Sequence, residues 1–159
     1  PSVPSLQQVV GRFRNKMHLM IEVKHEPYPY PEHQNTILEE ILSKLIPGQD
    51  YHLISLDPEM LELIECVPDH AKMPVAEFNV VKLSEIALEK NYAGVLGHYF
   101  LLNGRLVQKH LEAGQKVGTG YPDSRNCMSR ELNRGVNWLF SNDARGLEQI
   151  RKAMLAEYG

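Results

Sequence analysis

A chain of 159 residues with 43% hydrophobic content can build one domain around a substantial core, and it does not have the composition of a disordered segment. Its 17 Lys and Arg against 20 Asp and Glu give a formal charge of -3, which excludes a basic footprint for nucleic acid and favours a small polar substrate. No apolar run reaches the roughly 18 residues of a membrane span, and Cys66 and Cys127, without metal or redox spacing, point to a reducing compartment, the cytoplasm.

Short apolar runs alternate with amphipathic ones. Met17 to Lys24 reads as a strand. After a loop rich in Pro and Tyr, Ile37, Leu38, Ile41, Leu42 and Leu45 recur at helical spacing over Asn35 to Ile46, and Pro47-Gly48 is a stop signal. Tyr51 to Leu56 is the next strand, followed by Asp57 as N-cap, Pro58 as first helical residue and a helix over Met60 to Cys66. Strand Met73 to Phe78 precedes helix Val80 to Lys90, and strand Ala93 to Gly97 precedes helix Gly104 to Ala113, closed by Gly114. Lys116 to Gly118 leads to Arg125 to Arg134, closed by Gly135, and Trp138 to Phe140 leads to Arg145 to Glu157.

Strict strand-helix alternation implies parallel strands joined by right-handed crossovers, an α/β architecture. An open doubly wound sheet and a closed barrel both satisfy it. A complete eight-unit barrel takes about 250 residues, so length alone favours the open sheet.

On the first strand, period-two alternation turns Ile21 and Val23 one way and Glu22 and Lys24 the other. At the C-terminal end of a parallel strand such a pair can hold a cation and an anion together. Spacing alone leaves a salt bridge equally open. Gly118-Thr119-Gly120 begins a strand-to-helix turn whose amides could approach a phosphate, or an ordinary turn capped by Asp123 or Ser124. Ser141-Asn142-Asp143 is expected to cap the last helix. Of seven histidines, His98 is best placed for a site, while His25 should point away from Glu22 and Lys24. His18, His33, His52, His70 and His110 read as surface or core residues. Neither a nucleophile elbow nor a dinucleotide fingerprint occurs.

Several segments, taken in order, resemble the glycerophosphodiester phosphodiesterase family. Val3-Pro4-Ser5-Leu6-Gln7-Gln8-Val9-Val10 is similar to its opening helix, Met20-Ile21-Glu22-Val23-Lys24 to its Asn-Ile-Glu-Ile-Lys strand, and Ile54-Ser55-Leu56-Asp57 to its Ser-Phe-Asp segment. Leu106 to His110, Ala113 to Val117 and Arg134 to Asn142 track its closing helices and strands. The resemblance covers nearly the whole chain. It implies a partial TIM-type (β/α) barrel with about six βα units present and the first two missing. It further implies hydrolysis of glycerophosphodiesters to glycerol 3-phosphate and an alcohol with a divalent cation, Ca or Mg. Glu22 matches a metal ligand and Lys24 lies at the phosphate, with Ser55, His98 and Tyr121 as further substrate- or phosphate-binding candidates.

The family's His-Arg-Gly, Glu-x-Asp and second histidine precede the matched region, so its catalytic histidines are not in these residues. Gly120-Tyr121-Pro122-Asp123 stands where the family has Trp-Thr-Val-Asn, with Tyr121 a substitute aromatic, and Ser141-Asn142-Asp143-Ala144 replaces Thr-Asp-Arg-Pro. Six units cannot close a barrel and would leave two edges. The implied partners are therefore a missing N-terminal segment or a companion chain, together with a small-molecule substrate. A non-catalytic barrel serving as a binding or scaffolding module is the alternative, and a different α/β hydrolase or phosphate-binding protein is a third.

Overall fold

The computed structural model describes residues 2–24 and 30–158. Six strands, β1 (Leu19–Glu22), β2 (Tyr51–Ser55), β3 (Lys72–Ala76), β4 (Gly94–His98), β5 (Lys116–Gly120) and β6 (Trp138–Phe140), form one parallel sheet in the order of the chain. Helix α1 (Leu6–Phe13) precedes the sheet. The others, α2 (Pro31–Leu42), α3 (Pro58–Leu63), α4 (Val80–Glu89), α5 (Gly104–Glu112), α6 (Arg125–Asn133) and α7 (Ala144–Tyr158), each follow a strand.

Strand order decides the architecture. Each right-handed crossover advances one strand in the same direction and lays its helix on the same face, so the sheet curls into part of a TIM-type barrel. A doubly wound sheet needs a reversal of order, and none occurs, which overturns the preference drawn from length.

The helices begin where the side chains dictate. Ser5 and Gln8 form a reciprocal capping box on α1. Asp57 accepts the Glu59 N–H at 3.0 Å, with Pro58 as the first residue of α3. Asn103 and Ser124 cap α5 and α6 in the same way. The Asp143 carboxylate accepts the Gly146 N–H, so Ser141-Asn142-Asp143 does serve the last helix. Helix α2 begins earlier than expected because Pro31 presets its first turn. It also ends earlier, because the Asp50 carboxylate takes the Ile46 N–H and turns the chain into β2. His25 lies outside the described residues.

Between sheet and helices, Leu53, Val95 and Val117 pack with Leu61, Leu83, Ala87 and Val107, all fully or almost fully buried. Each such aliphatic side chain contributes about 1.5–3 kcal/mol on burial. The opposite face is the barrel interior, where register aligns Glu22 with Ile54, Val75 with Leu96, Leu96 with Gly118, and His98 with Gly120.

The N-terminal ends of the strands are closed by a packed polar layer. His18 Nδ1–H donates to the Gln49 carbonyl at 2.8 Å, which leaves its Nε2 to accept from His52 Nδ1–H at 2.7 Å. Both rings lie against Trp138, and the Lys116 ammonium sits 5.0 Å from the indole centroid while donating to the Gly48 carbonyl. Burial first, then the nearby positive groups, push the His52 pKa down to about 3. Gly94 has φ +153°, and a Cβ there would stand 1.7 Å from the Lys116 carbonyl oxygen, so no other residue fits this strand start.

Candidate active site

At the C-terminal ends of the strands the interior opens into a cavity of about 770 Å³. Its wall carries Glu22 and Lys24 from the first unit, Ile54 and Leu56 from the second, and Val75, Glu77 and Phe78 from the third. The fourth contributes Leu96, His98, Tyr99 and Phe100, and the last two contribute Gly120, Tyr121 and Phe140. Ligands of parallel α/β folds bind at this end because the strand-to-helix loops converge there.

Alternation along β1 turns Glu22 and Lys24 into the cavity together, and Lys24 Nζ donates to Glu22 Oε1 at 2.6 Å. The pair is thus a salt bridge, and it faces the cavity. With side chains 66% and 35% exposed, such a pair contributes no more than about 1 kcal/mol, so an incoming anion can recruit the ammonium at small cost.

His98 ends β4, and its Nδ1 accepts the Phe100 N–H at 3.2 Å. The neutral ring therefore carries its proton on Nε2. Tyr99 stacks on one side of His98 at 4.7 Å, and Tyr121 stands 5.8 Å away between ring centroids. Tyr121 holds φ +66°, an unfavourable value for a bulky residue, fixed by its N–H bond to the Phe140 carbonyl at 2.7 Å. The loop carrying Tyr99 and Phe100 is fastened by α6. Arg130 lies 5.0 Å from the Tyr99 ring, and Arg134 donates to the Leu102 carbonyl. Both guanidinium groups pair with the fully buried Glu131.

Lys24, Glu22, His98 and Tyr121 thus meet at one cavity, whereas Ser55 does not. Its side chain is fully buried away from the cavity, its hydroxyl donates to the Val23 carbonyl at 2.8 Å, and its oxygen accepts the Asp57 N–H at 3.1 Å. Alternation explains the correction: Ser55 shares a face with Leu53, the helix side, and ties β1 to β2. Gly118 and Gly120 belong to β5 and not to a phosphate-cradling turn. A Cβ at Gly118 would lie 2.5 Å from Leu96 and 2.8 Å from Phe140, so that glycine makes room for interior packing. At Gly120 a Cβ would meet only open space and the Gly97 carbonyl at 3.8 Å, so the missing side chain enlarges the cavity.

Sequence reasoning missed Glu77. It follows β3 on the face of Val75 and lines the cavity. The signal was available, since alternation over Met73 to Phe78 turns residues 73, 75 and 77 one way. The other described histidines, His18, His33, His52, His70 and His110, fall on the surface or in the packed interior, as expected. His110 is fully buried, donating from Nδ1 to Gln115 Oε1 at 2.6 Å and accepting from the Ser84 hydroxyl at 2.8 Å, and its burial lowers its pKa.

These features define a partial TIM-type barrel with a mixed polar and apolar cavity at its C-terminal face, and the fold is that of glycerophosphodiester phosphodiesterases. Over 98% of its length the chain matches a glycerophosphodiester phosphodiesterase from Parabacteroides distasonis, with TM-score 0.71, 16% identity and 66% of that protein covered. It matches a phosphodiesterase from Oleispira antarctica, solved with the product sn-glycerol-3-phosphate, over 94% of its length with TM-score 0.71, 19% identity and 61% of that chain covered. The chain therefore spans just under two thirds of these proteins, and at such identities the likeness is one of fold. No protein-family model matches the sequence, and no curated protein does.

Proposed function

We propose that the protein containing this chain hydrolyses glycerophosphodiesters to glycerol 3-phosphate and an alcohol at this cavity. The observation that carries the proposal is the convergence of Glu22, Lys24 and His98 at the C-terminal face of a barrel shared with enzymes of that activity. Lys24 supplies a compact positive charge for the phosphodiester anion. His98, with Nδ1 already engaged, presents Nε2–H as the donor to a phosphoryl or leaving-group oxygen. Tyr121 flanks that position. Free Cys66 and Cys127 support a reducing, cytoplasmic setting.

A divalent cation, Ca or Mg, belongs to the proposal but not to the described donor set. Ca takes about six to eight oxygens, and Mg one or two carboxylates with water and substrate oxygens. Among the described residues no cluster of three His, Cys, Asp or Glu could hold a metal. Glu22 alone does not make such a site. It is proposed as one ligand, the others coming from further βα units or a companion chain that closes the barrel, and the roles of Lys24 and His98 are independent of it.

The same shortfall favours a second reading, a barrel that binds phosphodiesters without cleaving them. The Glu22→Gln substitution in the full-length protein separates the two. Hydrolysis of glycerophosphocholine is expected to fall at least 100-fold at saturating cation, while Tm moves by no more than about 4 °C because only an exposed pair is lost. Undiminished turnover would remove Glu22 from the site. A wild-type protein that binds the diester and never cleaves it would establish the binding module.

A further inference from the structure

A second recess, of about 290 Å³, opens at the opposite end of the sheet, beside the packed polar layer. His52 and Lys116, at the beginnings of β2 and β5, line it together with His70, and Asn91, Tyr92 and Gln115 complete its polar wall. None of its lining residues belongs to β1 or β6, the strands with unpaired outer edges. The recess is therefore walled without the units that would extend the sheet.

His52 is fully buried, and its Nδ1–H is committed to His18. Its Nε2 has no hydrogen-bond partner among the described residues. Because the neutral ring holds its proton on Nδ1, that nitrogen presents a bare lone pair. Burial and the neighbouring positive groups hold the His52 pKa at about 3, so Nε2 does not meet its own need by taking up a proton near neutral pH. A buried acceptor without a donor is costly, and native proteins keep few of them.

The other polar groups differ in what they have left to give. Gln115 is spent: its amide donates to the Ala87 and Tyr92 carbonyls at 2.7 and 2.8 Å, and its oxygen accepts from His110. Lys116 donates to the Gly48 carbonyl at 3.3 Å, and an ammonium has three donors. No Asp or Glu is among the described lining residues, and nearby Asp69 is paired with Lys72 at 3.2 Å. An ammonium without a carboxylate favours an anion over a cation.

We infer that this recess binds a small oxyanion that carries its own hydroxyl, as hydrogen phosphate and short hydroxy acids do. The anionic oxygens accept from Lys116, and the hydroxyl donates to His52 Nε2. A volume of about 290 Å³ falls just below the roughly 300–1,000 Å³ of pockets for drug-sized ligands, which suits a molecule of this size. The site lies at the other end of the strands from Lys24, and it does not depend on the phosphodiesterase reading.

The test is calorimetric titration of the full-length protein near neutral pH with two matched pairs of probes, inorganic phosphate against sulfate and glycolate against acetate. The first member of each pair has a hydroxyl and the second has none. Leaving the acceptor unmet predicts roughly fivefold to 100-fold weaker binding of the second member. A preference within either pair upholds the inference, and the pair that shows it identifies the anion as phosphate or carboxylate. Ala113→Trp, which fills the recess from its exposed rim, and Lys116→Met are each expected to weaken the preferred probe at least tenfold, whereas Lys24→Ala leaves it unchanged. Should Lys116→Met fail to fold, Ala113→Trp decides alone. Equal affinity within both pairs overturns the inference. So does binding that is lost in Lys24→Ala and kept in Ala113→Trp, which would put the anion in the other cavity. No binding of any probe at millimolar concentration also overturns it, leaving His52 Nε2 to an ordered water only.

Discussion

The two ends of the barrel interior use similar residues for opposite purposes. At the N-terminal ends of the strands a lysine, two histidines and a tryptophan consume one another: Lys116 lies over Trp138, and His52 donates to His18. At the C-terminal ends a lysine, a histidine and several aromatic rings line open space, with Lys24 mostly exposed and His98 keeping one ring nitrogen uncommitted to the backbone. Residue type therefore does not separate structure from chemistry here. What separates them is packing: the groups at the N-terminal ends lie against one another, whereas those at the C-terminal ends face open space.

The comparison is broken most severely at Gly94. Gly94→Ala forces a Cβ against the Lys116 carbonyl at a φ that L-residues avoid, and is expected to cost at least about 4 kcal/mol. Urea denaturation of the full-length protein measures it, and a loss under about 1 kcal/mol would show that the closed end tolerates repacking.

A proton should discriminate the ends next. His52, held near 3, stays neutral in the folded protein but takes a proton in the unfolded chain near 6.5. The unfolded state therefore binds more protons below pH 6.5. The His52 contribution is complete above that pH and is lost progressively as pH falls towards 3. The expected slope is about 1 kcal/mol per pH unit for that one proton, with His110 adding to it in the same direction. His52→Gln should flatten denaturation midpoints between pH 6.5 and 5, and an unchanged slope would show that the layer does not exclude the proton.

The smallest effect is expected at the open end. Tyr121→Gly relieves a left-handed backbone and removes a half-exposed ring, so stability should rise or fall by no more than about 1 kcal/mol. Phosphodiester turnover should decline because the wall opposite His98 is gone. A large stability loss would make Tyr121 a packing residue.

Most of the architecture was legible because strand-helix alternation and capping are local. Asp57-Pro58, Asn103 and Ser124 start their helices within the residues that signal them. Curvature was not local: it depends on strand order, which only the assembled sheet reveals, and length pointed to the wrong alternative. In the site, Glu22 and Lys24 were readable from period-two alternation, and Glu77 was equally readable but overlooked. Ser55 was misplaced because its motif was weighed above its parity along the strand. The polar fastening of residues 99–103 joins positions about thirty apart in sequence, and no motif announces it.

That fastening has an evolutionary consequence. The loop that brings Phe100 to the mouth follows β4, yet it is gripped by arginines from the next unit, themselves locked to buried Glu131. Substitutions that reshape the rim after β4 will therefore be accepted only with compensating changes on α6. The posture of this cavity wall is set by two consecutive units, and grafting the β4 loop alone into another barrel would transfer its residues without that posture.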